Sequence, residues 1–251
     1  MTALVLAVLA AWPDPGSLHV LEAPKPAKKK LRVYIDAGHG AKDNHGNTGC
    51  LCQRECDVTL LTADRLYEAL EKTGAFELKR SRTGDAEPSY PKRLAEAEAW
   101  KADAIISVHT DARGEAYAWV PPDAGQTCYR NEEVPGFAVL WSPDGEKKVI
   151  AARERLGRAV SRRLSEIGLL AYDGVDYGGL YDADAVDGGF VDIRGPKTRV
   201  YFLHASKVPT IIIETHHALD PREVQRWTEP QTHAAFASAV AAALADWQTA
   251  P

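Results

Sequence analysis

Short apolar runs and segments with a helical apolar period alternate along the chain from residue 31 onward. Apolar or β-branched runs indicate strands, whereas apolar residues that recur every three or four positions indicate amphipathic helices. The predicted strands are 32–36, 76–80, 102–110, 136–142, 198–203 and 210–214. The predicted helices are 57–72, 90–100, 149–168 and a last helix with Phe236, Val240, Leu244 and Trp247 on its inner side.

This alternation is typical of an α/β protein whose sheet is covered by helices on both faces. We therefore predict a single α/β domain at 31–251, built on a twisted, mostly parallel sheet. A Gly/Asp-rich stretch at about 172–196 is expected to form a loop.

Composition and charge exclude several classes of protein. The chain has 251 residues, of which 45% are hydrophobic and 26% charged, so it can bury a sizeable core. The net charge is −5, and the basic residues are scattered except at 25–30. We therefore expect no nucleic-acid partner. A monomer is the expected oligomeric state.

Residues 1–30 have the composition of a leader followed by a Pro/Lys-rich linker. The apolar stretch from Ala3 to Ala11 is too short to cross a bilayer as a helix but suits a signal-peptide core, although no basic residue precedes it. The alternative is a buried N-terminal segment. We expect an exported protein, periplasmic or extracellular, without a membrane span.

Four cysteines stand at positions 50, 52, 56 and 128. An even number fits an oxidising compartment, and four cysteines allow three pairings that a sequence cannot rank. The three close thiols could instead bind zinc, but their spacing matches no structural zinc motif. Disulfides are favoured, and at least one must join Cys128 to the cluster at 50–56 unless Cys128 is free.

Four residues that can bind a metal or transfer a proton lie at one edge of the predicted sheet. His39 follows the first strand, His109 closes the third, Glu214 ends the last, and Glu55 opens the first long helix. Two imidazoles and a carboxylate suit catalytic zinc, because three protein ligands leave one position for water. Glu214 has no ligand partner nearby in sequence and is the candidate for moving the proton.

Each of these residues also has an ordinary structural role available. A histidine at a strand end can form a local hydrogen bond, Glu55 can favour the helix dipole, and Glu214 can be an exposed loop carboxylate. Their coincidence at one edge favours a metal hydrolase. A dinucleotide site is disfavoured, because the glycine fingerprint would need glycine at the position of Asp43, and no Walker pattern is present.

The motifs around these residues resemble the zinc-dependent N-acetylmuramoyl-L-alanine amidases, whose catalytic domain is called amidase type 3. The resemblance runs from about residue 31 to residue 248 and involves several ordered motifs. They are VYIDAGHG (33–40), QRECDVTLLTADRLYEAL (53–70), RSRTGD (80–85) with Arg93, ISVHTDA (106–112) and RGPKTRVYFLHASKVPTIIIET (194–215).

The resemblance implies that His39, Glu55 and His109 bind one zinc ion and that Glu214 is the catalytic glutamate. It implies hydrolysis of the amide between N-acetylmuramic acid and L-alanine in peptidoglycan, with Glu214 passing a proton from water to the departing amine. A protein activator is a further expected partner. Two alternatives stay open: a zinc peptidase acting on the stem peptide would keep the same four residues, and a non-catalytic wall-binding module would be expected to have lost one.

Other polar residues of the motifs have less specific expectations. Asp36 either orients a ligand histidine or binds backbone N–H groups. Arg82 and Arg93 are expected to make internal ion pairs rather than to touch substrate. A solvated loop is favoured over a calcium site for the acidic cluster, since it lacks EF-hand spacing; its members are Asp182, Asp184 and Asp187.

The chain departs from the family's usual pattern in two places. Thr215, His216 and His217 follow Glu214, where the family usually has a glycine and an aromatic residue. One histidine is expected to replace the aromatic residue in packing, and the other to assist proton transfer or contact substrate. The segment 114–136 is an apparent insertion beside the active-site rim, which a disulfide from Cys128 to the 50–56 cluster is expected to pin.

Overall fold

The structure is a computed structural model that describes residues 17–84, 86–122 and 125–249. The predicted signal-peptide core at 3–11 lies outside the described residues. The strands are Leu31–Ala37 (β1), Phe76–Arg80 (β2), Ala104–Asp111 (β3), Tyr117–Trp119 (β4), Cys128–Arg130 (β5), Ala138–Trp141 (β6), Tyr181–Ala183 (β7), Gly189–Asp192 (β8) and Thr210–His217 (β9). The helices are Glu55–Thr73 (α1), Tyr90–Ala99 (α2), Lys147–Glu166 (α3), Tyr201–His204 (α4), Pro221–Arg226 (α5) and Pro230–Thr249 (α6).

The main sheet of the described chain has the strand order β2-β1-β3-β9-β6-β8-β7. Strand β1 pairs in parallel with β2 and β3, β3 pairs in parallel with β9, and β6 pairs in parallel with β8. The antiparallel pairs are β6 with β9 and β7 with β8. The sheet is therefore mixed but mostly parallel.

Side chains of the central strands alternate between two helical layers. Val33 and Ile35 of β1 lie in the larger core with residues of α1, α3 and α6, whereas Tyr34 packs with residues of α2 and α4. Ile106 and Ile105 of β3 divide in the same way. Successive residues of a strand face opposite sides, so a strand covered on both faces contains a continuous apolar run rather than an alternating pattern. The predicted fold class is confirmed.

Residues 198–203 do not form the predicted strand. Helix α4 occupies part of this range, and its Phe202 and Leu203 are buried in two different apolar clusters. Strand β9 already pairs with β3 and β6, so neither of its edges can accept another strand. The prediction was wrong because apolar composition does not show whether a sheet edge is free.

Two stretches expected to be irregular contain short strands. The Gly/Asp-rich stretch at 172–196 includes β7 and β8, which extend one edge of the main sheet. The segment 114–136, which we expect to be an insertion, includes β4 and β5, which form a separate antiparallel hairpin. Prediction of a loop at 172–196 was wrong because strands of three or four residues are too short to show an alternating pattern.

The start of the predicted linker packs on the domain. Leu18 is buried in the larger core, and Leu21 packs against the same cluster. The backbone N–H of His19 donates to the carbonyl oxygen of Ile167 at 3.0 Å. Residues 25–30 are exposed, as expected of a linker. A domain boundary at residue 31 stays a prediction.

Candidate active site

The sheet brings the four predicted site residues to one edge. His39 lies just beyond β1, His109 lies in β3, Glu214 lies in β9, and Glu55 is the first residue of α1. Strand β3 lies between β1 and β9, and His109 pairs in register with Glu214. The parallel strands therefore deliver these side chains to the same end of the sheet, where the N-terminus of α1 also lies.

His39 and His109 flank the carboxylate of Glu55. Oε2 of Glu55 lies 3.1 Å from Nε2 of His39, and Oε1 lies 3.1 Å from Nδ1 of His109. One donor atom from each residue lies within 4.8 Å of the other two, and this is the candidate metal-ligating group among the described residues. Two imidazole nitrogens and a carboxylate oxygen at these separations fit a zinc ion, which is bound by this donor set in hydrolases.

The two glutamates of the site have pKa values displaced in opposite directions. Burial would raise the pKa of Glu55, but hydrogen bonds from His109 and His39 and their charges lower it well below its usual range. Burial and the nearby carboxylates of Asp111 and Glu55 raise the pKa of Glu214 well above its usual range. Opposite shifts in neighbouring carboxyl groups are typical of sites in which one group stays ionised and the other exchanges a proton.

Glycines beside the site leave space that the ligand side chains fill. A Cβ atom at Gly38 would lie 2.5 Å from Cε1 and Nε2 of the His109 ring. At Gly46, where φ is +73°, a Cβ atom would contact Oε2 of Glu55. Gly38 and Gly46 therefore allow the backbone to approach the metal-ligating group closely.

Two asparagines of the loop between His39 and Glu55 contact ligand side chains. Asn44 Oδ1 lies 2.7 Å from Nδ1 of His39, and Asn44 Nδ2 donates to the hydroxyl of Tyr90 at 3.2 Å. The backbone N–H and Nδ2 of Asn47 both donate to Oε2 of Glu55 at 2.9 Å. Sequence reasoning missed these residues. Polar side chains in a Gly-rich loop between two ligands could have indicated the asparagines, but the sequence carries no such signal for Tyr90.

Glu214 lines a cavity of about 300 Å³ together with His39 and His109. Its Oε2 atom is shielded from solvent and has no hydrogen-bond partner among the described residues. Aromatic side chains form much of the remaining wall: Tyr90, Tyr181, Tyr201 and Phe202. A larger cavity of about 520 Å³, lined by residues between 165 and 190, contains none of the four site residues. Chemistry rather than size therefore identifies the candidate active site.

Asp36 does not contact a ligand side chain. Its Oδ1 accepts from Nη1 of Arg93 at 3.0 Å and its Oδ2 from the hydroxyl of Ser107 at 2.6 Å, and the Arg93 and Asp36 side chains are both fully buried. Arg93 also donates to the carbonyl oxygens of Ala37 and His39. The expected internal ion pair of Arg93 is confirmed, and it holds the backbone that carries His39.

Arg82 is also buried, but its contacts differ from the expected ion pair. Its guanidinium donates to the carbonyl oxygens of Ala37, Gly38 and Cys56 at distances between 2.7 and 3.1 Å. These bonds connect the end of β1 with the first turn of α1. Arg82 therefore joins the two segments that carry His39 and Glu55.

His216 and His217 lie outside the cavity that contains Glu214. His216 is buried and stacks on Trp227 with ring centroids 5.3 Å apart, so the packing role expected of one histidine is confirmed for His216. Nδ1 of His217 accepts from the backbone N–H of Arg113 at 3.3 Å. Burial lowers the pKa of His216 to about 3 and that of His217 to about 4, so both are neutral at pH 7. A role in proton transfer for the second histidine stays a prediction.

A disulfide joins the β4–β5 hairpin to the segment that precedes Glu55. It links Cys52 to Cys128, as expected of the 50–56 cluster, and Cys50 and Cys56 are free buried thiols. The indole N–H of Trp119 in the hairpin donates to the carbonyl oxygen of Cys50 at 2.7 Å. The hairpin is therefore attached to the loop that leads into α1.

The acidic residues near β7 do not form one solvated loop, because Asp182 belongs to β7 and the Asp184 side chain is only 7% exposed. Asp182 and Asp187 are exposed, and Asp184 pairs with Arg158 at 2.8 Å. None of the three belongs to the candidate metal-ligating group of the described chain. No helix in the described part is both long and apolar enough to cross a membrane.

Comparison with known proteins connects this geometry to a family. A family model described as N-acetylmuramoyl-L-alanine amidase matches residues 33–246. The N-acetylmuramoyl-L-alanine amidase AmiC of Escherichia coli O6:H1 is 34% identical over 93 residues, which are 36% of this chain and 22% of AmiC. The chain spans less than half the length of this and other curated relatives that it matches.

Solved structures share the fold of the chain. The N-acetylmuramyl-L-alanine amidase Ami1 of Mycobacterium smegmatis superposes with a TM-score of 0.66 at 21% identity, covering 89% of this chain and 98% of Ami1. The CwlD amidase of Clostridioides difficile, solved in complex with the GerS lipoprotein, superposes with a TM-score of 0.58 at 16% identity, covering 88% of this chain and 99% of CwlD. At these identities the likeness shows the fold alone.

Proposed function

We propose that this chain, which belongs to the N-acetylmuramoyl-L-alanine amidase family, hydrolyses the amide bond between N-acetylmuramic acid and L-alanine in peptidoglycan with one zinc ion. The observation that carries the proposal is the grouping of His39, Glu55 and His109 beside Glu214. Donor atoms of the first three lie within 4.8 Å of one another, and both histidines line the cavity that Glu214 also lines.

The three ligand side chains would hold zinc with two neutral nitrogens and one negative oxygen. When bound, zinc supplies Lewis acidity, which polarises a carbonyl and makes water more acidic. Glu55 suits the ligand role because its low pKa keeps it ionised at neutral pH. The neutral imidazoles complete the donor set of a hydrolytic zinc site.

Glu214 is proposed as the general base and acid. It lines the cavity without being one of the three grouped donors, and its Oε2 has no hydrogen-bond partner among the described residues. A carboxylate in this position can accept a proton from the attacking water and deliver it to the departing amine. Burial raises its pKa, and a carboxylate with a raised pKa is a stronger base toward water.

Substrate, location and partners follow from the proposed reaction. Peptidoglycan lies outside the cytoplasm, so we infer that the protein is exported and acts in the periplasm or outside the cell. The disulfide between Cys52 and Cys128 supports an oxidising compartment. An activator protein also belongs to the proposal, and the CwlD amidase solved in complex with a lipoprotein is a relative of this fold with a protein partner.

The test is mass spectrometry of the soluble products formed when the purified protein is incubated with peptidoglycan. The protein is supplied with zinc, then with a chelator, and is compared with Glu214→Gln. Glu115→Gln is the matched control, since it makes the same change at an exposed carboxylate. We expect free stem peptides that begin with L-alanine from the wild type and Glu115→Gln, and loss of at least about 10²-fold in rate with Glu214→Gln.

The other products would contradict the proposal in distinct ways. Shortened stems that remain attached to sugar would identify a zinc peptidase. Binding to peptidoglycan without soluble products, from protein loaded with zinc, would indicate a wall-binding module. Unchanged release of stem peptides by Glu214→Gln would remove Glu214 from the reaction.

A further inference from the structure

We propose that Asn44, held by Tyr90, is a positioning residue that fixes His39 with its proton on Nδ1 and so presents Nε2 to zinc. This inference rests on the proposed function, because it assumes that His39 is a zinc ligand. The inference adds Asn44, which is not a zinc ligand, and assigns it the task of orienting the His39 ring.

The contacts of the Asn44 side chain determine which way its amide points. Oδ1 lies 2.7 Å from Nδ1 of His39 and accepts from the backbone N–H of Gly46 at 3.3 Å. Nδ2 donates to the hydroxyl oxygen of Tyr90 at 3.2 Å. A backbone N–H can only donate, so the atom facing Gly46 must be the oxygen. Nδ1 of His39 faces that same oxygen and must therefore carry a proton.

Because Nδ1 keeps its proton, the proton through which Nε2 bonds the Glu55 carboxylate is the one that zinc would displace, and this leaves the Nε2 lone pair of a neutral imidazole for the metal. Nε2 of His39 is the atom that faces the Glu55 carboxylate at 3.1 Å, inside the candidate metal-ligating group. A ligand histidine generally donates its other N–H to an oxygen, which fixes the tautomer and the ring orientation. Asn44 Oδ1 provides that oxygen for His39.

His39 depends on such support more than the other ligands do. Its side chain is 22% exposed, against 3% for Glu55 and 10% for His109. Glycines pack against both rings, Gly38 against that of His109 and Gly46 against that of His39. The His39 ring is nevertheless the more exposed of the two, and His39 lies in a loop rather than in a strand. The hydrogen bond from its Nδ1 therefore adds a restraint on the orientation of its ring.

Two hydrogen bonds within the backbone stabilise the turn that carries Asn44, and neither involves the Asn44 side chain. The backbone N–H of Gly40 donates to the carbonyl oxygen of Asn44 at 2.8 Å, and that of Asn44 donates to Ala41 at 2.9 Å. Substitution of the side chain leaves these two bonds in place, although Asn44→Leu also removes the bond from the Gly46 N–H to Oδ1. Thermal unfolding of the variant therefore reports any effect on the loop.

The test measures zinc affinity of the full chain by competition with a chromophoric chelator, so it does not depend on amidase activity. Asn44→Leu removes the acceptor at similar size, Asn44→Asp keeps it, and Lys42→Ala changes an exposed residue of the same turn. We expect Asn44→Leu to weaken zinc binding about 10- to 100-fold. Asn44→Asp should bind zinc as tightly as the wild type or more tightly, and Lys42→Ala should match the wild type.

A second variant covers the case in which Asn44→Leu does not fold. Tyr90→Phe removes the hydroxyl that bonds the Asn44 amide at 3.2 Å and also lies 3.4 Å from Nδ1 of His39, and we expect it to weaken zinc binding about three- to tenfold. Thermal unfolding of each metal-free variant reports its folding separately from its zinc affinity.

Several results would overturn the inference. Wild-type affinity in folded Asn44→Leu would show that the hydrogen bond does not matter. Equal weakening in Asn44→Asp and Asn44→Leu would show that side-chain shape, rather than an acceptor oxygen, is required. If the wild type releases stem peptides and binds zinc while Asn44→Leu binds equally well, the inference fails and the proposed function stands. If the wild type binds no zinc, both fail.

Discussion

The buried ion pair between Asp36 and Arg93 should be one of the costliest interactions in the protein to break. Both side chains are fully buried, and Arg93 additionally donates to the carbonyl oxygens of Ala37, His39 and Pro88. The perturbation is Asp36→Ala, which removes the only carboxylate bonded to Arg93 among the described residues and leaves its guanidinium buried without an opposite charge.

The burial of the pair sets the expected loss in free energy of unfolding for Asp36→Ala. Removal of one partner of a fully buried pair destabilises a protein by about 3 to 5 kcal/mol, because the remaining charge loses its compensation without gaining water. Asp36→Ala also removes the hydrogen bond from Ser107, which adds about 1 kcal/mol. The sum is a large fraction of the roughly 5 to 15 kcal/mol that stabilises a typical domain.

The pair Arg32–Glu77, in which Arg32 lies on the same strand as Asp36 and Glu77 on β2, offers a matched control. Its atoms are 2.9 Å apart, but the side chains are 42% and 51% exposed. Because water and salt screen such a pair, Glu77→Ala should cost less than about 1 kcal/mol. The two ion pairs have nearly the same N–O distance, so the difference between the two unfolding free energies tests the effect of burial.

The assay is urea unfolding of metal-free protein at pH 7, followed by circular dichroism. Arg93→Met and the double variant Asp36→Ala/Arg93→Met complete a double-mutant cycle. We expect a coupling free energy of at least about 2 kcal/mol, because the double variant leaves no unpaired charge. Additive effects, or a cost of Asp36→Ala no larger than that of Glu77→Ala, would refute the reasoning.

Three further changes have expected outcomes that follow from single structural features. Cys52→Ser with Cys128→Ser should lower the free energy of unfolding by about 4 kcal/mol in non-reducing buffer, since the disulfide closes a loop of 76 residues; no loss would show that the bond does not form. Gly38→Ala should weaken zinc binding more than about tenfold, because the added methyl group displaces His109. At Gly178 an added Cβ meets no atom within 4 Å, so Gly178→Ala should bind zinc as the wild type does in competition with a chelator. When the pH is lowered from 7 to 5, the free energy of unfolding of His216→Phe should rise by up to about 2 kcal/mol relative to that of the wild type, as measured by urea unfolding. In the wild type, the folded-state pKa of His216 is about 3, below its unfolded value, so the wild type loses stability as the pH falls below about 6.5. Equal pH profiles of stability for the wild type and the variant would contradict this.

Local sequence patterns were sufficient for the elements that pack against the central sheet. Strands β1, β3 and β9 each contain a continuous apolar run, at 33–35, 104–106 and 211–213, and α3 repeats apolar residues along one side, because each element must bury a whole face or stripe. The wrong predictions concern segments outside the central strands. The range 198–203 has strand-like composition, but β9 had no free edge to receive it, and β7 and β8 are too short to show a period.

The sequence by itself determined which polar side chains lie toward the carboxyl ends of the central strands and at the start of α1, although β9 continues past Glu214 to His217. His39, His109, Glu214 and Glu55 could be selected because strand and helix boundaries are local properties of the chain. Parallel strands place such residues at one edge of a sheet, so their convergence could also be expected.

Only the tertiary structure decided which neighbours support these residues. Asn44 and Tyr90 reach His39 from a loop and a distant helix, and Asp36 turns to Arg93 instead of to a ligand. It also decided that Cys52 is the partner of Cys128 among three nearby thiols. Such contacts depend on the orientation of side chains that are far apart in sequence, and a local pattern contains no information about that orientation.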